Sequence, residues 1–450
     1  MGEAEFLAES GNYEEALRKL NEILDEDFDN AKALFIMGFV FIKMDRTGLA
    51  YQVLKRSSEL APNVAATWGN MGKCFLDMRK QQEAEACFRR QLKIEPESIM
   101  ALNNLGLIHQ QNSENGLAIE YFNKVLKIDP EHLDAKINKG FAKLALYQWE
   151  EGWKGYNLNI GKQEDRKERI YNEEPRWDGS NGKRVLVVGE QGIGDEISFA
   201  SCIPDLIRDS QKVVIDCDKR LINTFKRSFP EATVYGTRYK PEAQDWHFEE
   251  DFEARVAVGA LPMFYRNKDE DFPGKPFLKP DPEMCIQWKA LLDSLGSKPK
   301  IGIAWTGGRP HTYRSRRSLT LDSLLPLFKF PAEWISLQYK DSEEIEVFNK
   351  KHGLNIRHWK HGSESYDYDQ TLALISQLDL VISVTTTVVH AAGALGKECW
   401  CLVPEKVMWR YGVKGSKFHW ADSVTLFRQK GKDWPVYELL GKLREKFDSR

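Results

Sequence analysis

Residues 379–403 read DLVISVTTTVVHAAGALGKECWCLV, and the order of apolar and polar positions in this stretch sets the expected fold. Leu380 to Val384 is an unbroken apolar, β-branched run, the pattern of a strand buried on both faces. Thr385, Thr386 and Thr387 follow, then small residues closing on Gly396, which predicts a short helix with a glycine cap. Cys399 to Val403 is a second buried run. Strand, polar turn, helix and strand make a βαβ unit, and its turn lies at the carboxyl end of the first strand, where open parallel sheets bind ligands. A helix start supplies free N–H groups and a favourable dipole, and three hydroxyls beside it suit a phosphate or diphosphate. The same residues are also met by a helix that one threonine caps while the other two carry no chemistry.

The alternation continues in both directions. Downstream, VTLFRQ (424–429) is a strand and WPVYELLGKLREKF (434–447) a long helix. Upstream, IGIAWTGG (301–308) is a strand entering a Gly-Gly turn, followed by the basic loop RPHTYRSRRSL and a helix over LDSLLPLF. WISLQY (334–339) and IRHW (356–359) read as strands, with YDQTLALISQL (368–378) helical after them. Further upstream, RVLVVG (184–189) is a buried strand, GEQGIGDE a glycine loop, and 197–209 a helix. VVIDCD (213–218), KRLINTFKRSF (219–229) and ATVYG (232–236) continue as strand, helix and strand. Two doubly wound α/β layers result, facing each other across a cleft.

Gly189, Gly192 and Gly194 bring backbone close to a ligand or a facing domain, but their spacing matches neither the dinucleotide nor the Walker pattern. Asp195, at the loop-to-helix turn, is placed either to take a proton from a hydroxyl or to cap the helix. Opposite it would stand Trp305 to Gly308, the threonine run, and four arginines, Arg309, Arg314, Arg316 and Arg317, suited to a diphosphate unless they form a solvated basic loop. Gln338 and Tyr339 end a strand where a base or ribose would lie; Val403 to Glu405 are placed likewise, and Trp409 and Arg410 stand as sugar contacts or structural residues. Asp216 and Asp218 spell DxD at a strand end and read as a chance match to a metal motif. His311 and His390 have no partner at metal-ligand spacing; His390, one turn into its helix, either faces phosphate or packs.

The N-terminal third is periodic. Gly38, Gly72, Gly106 and Gly140 recur every 34 residues, as do Ala16, Ala50, Ala84 and Ala118, and Pro62, Pro96 and Pro130. Glycine and alanine let two helices approach closely, and each proline ends the second helix of a pair. The pattern resembles the tetratricopeptide repeat (TPR), with a half unit ending near Asn30, units at 31–64, 65–98 and 99–132, and a degenerate one from 133. Such an array is a curved ribbon whose groove takes peptide or protein. Asn70, Lys73, Asn103, Asn104, His109, Lys136 and Asn138 are the expected groove residues, or simply a solvated helix face. Trp153, Tyr156 and Trp177 read as packing at the junction.

Charge is nearly balanced, 64 Lys and Arg against 67 Asp and Glu, with no polybasic run to suggest nucleic acid as a partner. Seven cysteines in mostly apolar runs lack metal spacing and read as reduced buried thiols. The acidic start has no apolar targeting segment and no run reaches membrane-span length, so the expected location is cytoplasmic, with no transmembrane segment.

The TPR units, WEEGW, PRWDG, GEQGIGDE after a strand, GIAWTGG with RSL, SLQ, LDLVISVTTTVVHAAGALGK, the Trp409–Arg410 pair and LFRQ together resemble bacterial TPR-containing glycosyltransferases. Their GT-B catalytic region is similar to the heptosyltransferases of glycosyltransferase family 9 and, more distantly, to O-GlcNAc transferase. The resemblance implies a TPR solenoid at 1–160, a linker at 161–182, an acceptor-side Rossmann-like domain at 183–298 and a nucleotide-sugar donor domain at 299–450. It implies inversion without metal or other cofactor, with Asp195 as base beside Gly192 and Gly194. It places the diphosphate on Arg316 or Arg317, with Thr385, Thr386, Thr387, His390, Trp305 and Gly307 around the donor. One position departs from the pattern: the family carries aspartate where this chain has Thr385, which implies an altered donor contact. The expected function is transfer of a sugar to an acceptor hydroxyl, the repeats recruiting a protein or peptide. Two alternatives stand beside it. One is a TPR adaptor with an inactive transferase fold, which Thr385 favours; the other is an NAD(P)-dependent enzyme using GEQGIG, which lacks a convincing acidic ribose partner.

Overall fold

A computed structural model describes residues 1–162, 166–167, 169–239, 245–308, 314–339, 342–364 and 367–448. The chain divides into two compact units, Met1–Ala142 and Lys143–Arg450.

The first unit is a stack of helices: α1 (Gly2–Glu9), α2 (Tyr13–Glu26), α3 (Ala31–Lys43), α4 (Thr47–Leu60), α5 (Ala65–Asp77), α6 (Gln81–Ile94), α7 (Ile99–Gln111), α8 (Asn115–Ile128) and α9 (Leu133–Ala145), the last crossing the division. The recurring glycines do what their spacing implies. A Cβ on Gly72 would lie 2.7 Å from Phe88 Cε1, and one on Gly106 2.5 Å from Phe122 Cε1, so each lets the paired helix seat its aromatic ring. Ala16, Ala50, Ala84 and Ala118 are all fully buried. Pro62 and Pro96 stand two residues beyond the ends of α4 and α6. A fourth mark was not legible. Gly11, Asp45, Arg79, Ser113 and Tyr147, again 34 residues apart, all adopt positive φ in the turn after a first helix. Only one of them is glycine, so the repeat imposes a backbone conformation its side chains disfavour by about 1–2 kcal/mol each.

The second unit opens with α10 (Trp149–Asn157) and holds two parallel sheets. The first sheet has β1 (Arg184–Val188), β2 (Lys212–Asp216), β3 (Thr233–Tyr235) and β4 (Ala254–Ala257), in the order β3-β2-β1-β4. The second has β5 (Lys300–Ala304), β6 (Glu333–Ser336), β7 (Leu380–Val384), β8 (Cys399–Val403) and β9 (Val424–Arg428), in the order β6-β5-β7-β8-β9. β7 and β8 are buried at every position, as their apolar runs require. Ile301, Ile303, Leu380, Ile382, Leu402 and Phe427 meet Leu439 and Leu443 of the helix Val436–Phe447 in the main core of this sheet.

Several elements differ from expectation. β4 went unread because its four residues include Arg255, yet it pairs with β1 and encloses it. Residues 356–359 form only a single bridge, Ile335 to Arg357. The helix expected at 197–209 starts earlier, as Ile193–Phe199, and is interrupted by a 3-10 turn before Ile203–Asp209, where Pro204 takes a first-turn position. Pro326 likewise splits LDSLLPLF into two short turns. The division at Ala142 falls before the boundary near 160 expected from the fading repeat, because α10 packs on the α/β unit. There Trp153 is fully buried and donates Nε1–H to the Arg266 carbonyl at 2.7 Å. Within the expected linker at 161–182, Arg166, Glu174 and Trp177 are buried. Among the described residues no helix is long and apolar enough to cross a membrane.

Candidate functional site

In the second sheet the strand order reverses between β5 and β7, which makes their carboxyl ends the place where an open parallel sheet takes a ligand. The loops leaving those two strands carry the threonines and the Gly-Gly turn. Thr386 is the N-cap of the helix Thr387–Ala394: its Oγ1 accepts from Val388 N–H at 3.2 Å and lies 3.1 Å from Ser383 Oγ. One threonine is therefore a cap, as the alternative reading had it, while Thr385 is buried and Thr387 half-buried at the helix start. Gly307 has no side chain because the Thr386 methyl group occupies the space a Cβ would need, and Gly308 (φ +85°) leaves room for the Arg317 guanidinium in the same way. Arg317 reaches across the crevice, donating Nη1–H to the Thr385 carbonyl at 3.2 Å and approaching Met408 Sδ at 3.3 Å. Burial draws its guanidinium below the ordinary arginine value. Arg314 and Arg316 lie in an exposed 3-10 turn beside it, and Arg309 and His311 fall outside the described residues.

The first sheet presents its own carboxyl edge through the glycine loop after β1. Asp195 is the third residue of the helix Ile193–Phe199, and its Oδ2 accepts from Gly192 N–H at 3.1 Å, so the carboxylate caps its helix start. Its other oxygen, Oδ1, pairs with Arg410 Nη1 at 2.9 Å. Gly194, one residue earlier, is where this helix meets the Thr387–Ala394 helix. A Cβ there would lie 2.9 Å from Thr387 Oγ1 and 3.4 Å from His390 Cδ2. Of the glycine loop's two readings, the structure shows approach to a facing element. His390 is buried, with Nε2 3.3 Å from the Tyr411 hydroxyl. Burial, then the nearby Arg410, push its imidazole down to about 3, the Asp195 carboxylate opposing and Arg317 adding to the fall. Asp195, Arg317, Thr386, Thr387, His390 and Arg410 thus converge where two helix N-termini face each other, an arrangement that accommodates negative charge.

Other expected contacts are placed differently. Trp305 is fully buried within the core of the second sheet, so its ring is structural. Gln338 spends its amide on the loop after β5: Oε1 accepts from Thr306 N–H at 3.1 Å and Nε2 donates to Thr306 Oγ1 at 2.7 Å. Its amide thereby shapes the crevice. Tyr339 follows it, exposed. Trp409 stacks edge-on against Trp153 and Tyr156, at 5.4 and 5.5 Å between ring centroids, which assigns it to packing. Asp216 accepts from Thr237 N–H and the Tyr171 hydroxyl, and Asp218 pairs with Arg220 at 2.7 Å, so both carboxylates of the DxD are engaged within the fold.

The sequence reading missed the buried ion pair behind the glycine loop. Arg166 donates from Nε and Nη2 to both oxygens of Glu190, each at 2.9 Å, and from Nη1 to the Tyr156 carbonyl at 2.7 Å. A glutamate directly after a buried strand was the available signal, since a carboxylate there needs a cation. On the repeats, Asn70 and Asn103 are half-buried, Asn104 bonds its own helix through the Met100 carbonyl, and Lys136 pairs with Glu131 at 2.9 Å. His109 is not a groove residue: it is buried, stacked on Tyr121 and 2.6 Å from Glu114.

Comparison with known proteins bears on the first unit above all. Models of the tetratricopeptide repeat match residues 65–98 and 99–132, the two units read from the spacing of glycine, alanine and proline. Protein FlbA of Caulobacter vibrioides is 30% identical over 303 residues, covering 63% of this chain and 50% of FlbA. The chain therefore spans about half the length of that curated relative. Among solved structures, MamA (residues 41 to the end) from Desulfovibrio magneticus RS-1 is 20% identical, over 36% of this chain and 94% of its own, with a TM-score of 0.33. PilF of Pseudomonas aeruginosa is 21% identical, over 34% and 71%, with a TM-score of 0.32. YrrB, described as a TPR protein with an unusual peptide-binding site, is 19% identical, over 36% and 84%, with a TM-score of 0.32. The chain carries an N-terminal TPR solenoid, followed in sequence by an α/β region of parallel sheets.

Proposed function

We propose that the α/β unit is a GT-B glycosyltransferase, metal-independent and inverting, and that the TPR repeats recruit its protein or peptide acceptor. One observation carries the reading. The carboxyl edges of two parallel sheets are brought together by the helices Ile193–Phe199 and Thr387–Ala394, with a carboxylate on one side and Arg317 and a capped helix start on the other. In the proposed reaction Asp195 takes the proton of an acceptor hydroxyl. That oxygen bonds to the anomeric carbon from the face opposite the nucleotide, and the bond from this carbon to the diphosphate oxygen breaks. The nucleoside diphosphate leaves with the electron pair, its charge met by Arg316, Arg317 and the N–H groups at Thr386 and Thr387. Both Asp195 oxygens already carry a contact, yet a carboxylate has about four acceptor sites, which leaves capacity for the acceptor proton.

Calorimetric binding of UDP, GDP, ADP and CMP, with and without divalent metal, on wild type and on Arg316→Ala/Arg317→Ala tests the proposal. The expected result is metal-independent binding of one nucleotide, lost in the double variant. Binding of none of the four overturns it. A second reading, a TPR adaptor with an inactive transferase fold, is favoured by Thr385, which puts a buried hydroxyl where the resembling family has a carboxylate. It predicts no nucleotide binding with the repeats' partner still retained.

A further inference from the structure

Arg410 is 3% exposed, although it follows the half-buried Trp409 in a short 3-10 turn. Its guanidinium lies over the rings of Trp409, Phe199 and Trp420, at 4.7, 4.9 and 6.0 Å from their centroids. Three aromatic faces and the loss of water fix its orientation. The fork points at Asp195, with Nη1 2.9 Å from Oδ1. Asp195 belongs to the first sheet's helix and Arg410 to the turn after β8 in the second, so the contact joins the two α/β layers at the candidate site. The side chain is enclosed by protein where a sugar contact would need an open face.

We propose that Arg410 is a positioning residue for Asp195. It holds Oδ1 while Gly192 N–H holds Oδ2, and the two contacts set the plane of the carboxylate. A base whose oxygens are anchored one to each layer keeps its remaining lone pairs aimed into the crevice, and it does so only when the layers are together. Among the described residues, Arg317, His390 and Tyr411 on the donor side, and Tyr156 and Arg166 beside the glycine loop, are further charged or titratable groups whose fields reach this pair. The assignment rests on the transferase reading and adds to it the group that orients the base.

The test is a double-mutant cycle on the full chain: Arg410→Gln, Asp195→Asn and the two combined, with kcat, donor KM, nucleotide dissociation constant and melting temperature measured for each. Arg410→Gln is expected to lower kcat by about 10- to 100-fold with donor KM and nucleotide affinity unchanged. It should cost nothing further once Asp195 is Asn. Arg410→Lys should restore part of kcat. An equal cost in both Asp195 backgrounds, a raised donor KM, or wild-type kcat in Arg410→Gln would each overturn the assignment while leaving the transferase reading intact. A wild-type protein that binds no nucleotide would remove that reading, and this one with it. Should Arg410→Gln not fold, Arg410→Lys, which keeps the charge but not the fork, enters the same cycle.

Discussion

Replacing Gly194 by alanine and by valine measures how closely the two helices of the site approach. Gly194 is not in the left-handed region, so its backbone places no demand for glycine. Space does. A Cβ would stand 2.9 Å from Thr387 Oγ1, 3.3 Å from Thr387 Cα and 3.4 Å from His390 Cδ2. The hydroxyl ends a side chain and can turn away, but the Cα is backbone and yields only if the helices part slightly. Overpacking of this kind costs about 1–3 kcal/mol, while alanine gains about 1 kcal/mol over glycine in a helix. Gly194→Ala is therefore expected between neutral and about 2 kcal/mol destabilising. Valine puts two more methyl groups into the same gap and returns part of the propensity gain, for a cost of about 3 kcal/mol or more. Domains of 150–250 residues shift by roughly 2–4 °C per kcal/mol, and this unit is larger, so the valine variant should melt about 6 °C below wild type. Thermal melts followed by near- and far-UV circular dichroism measure this. A valine variant that melts with wild type would refute the close approach and, with it, the geometry of the site.

Glu190→Gln leaves the Arg166 guanidinium buried opposite a neutral amide and should cost about 3–5 kcal/mol by urea denaturation, with Arg166→Met/Glu190→Gln recovering more than half. Thr386→Ala removes the helix cap and should cost about 1 kcal/mol, which serine restores; equal stability of all three would mean the cap is idle. Arg79→Gly relieves a positive φ in the repeat turn and should stabilise the first unit by about 1 kcal/mol, read from its melting midpoint. His390 has its imidazole pushed down to about 3 from an ordinary 6.5, so between those values the unfolded chain binds one more proton than the fold. Stability must then fall as pH drops through that window, by about 1.4 kcal/mol per pH unit from this group, and His390→Gln should flatten the slope of urea midpoints.

The repeat third was legible because its signals are local and redundant: glycine, alanine and proline each recur in one phase, and each acts within a helix pair. The strands β1, β2, β5, β7 and β8 were legible for a related reason, since a strand buried on both faces reads as a largely apolar run. β4 was not, because Arg255 interrupts its run and bonds the Glu174 carbonyl, a partner far away in sequence. The positive-φ turns at Asp45, Arg79 and Ser113 carry no glycine to mark them.

The sequence by itself determined that a 34-residue helical repeat precedes two parallel α/β layers, and that a threonine turn and a glycine loop end on helix starts. These follow from short-range periodicity, backbone sterics and the free N–H groups of any helix terminus. Only the tertiary structure decided which polar side chains serve the fold and which meet at the site. Gln338 and Trp305 looked like ligand contacts by position and are held by the loop and the core. Arg410 stood by position as either a sugar contact or a structural residue, and it is bound to Asp195. A carboxylate's partner is set by whichever cation the packing of separate layers brings within hydrogen-bond reach, and no local pattern records that meeting.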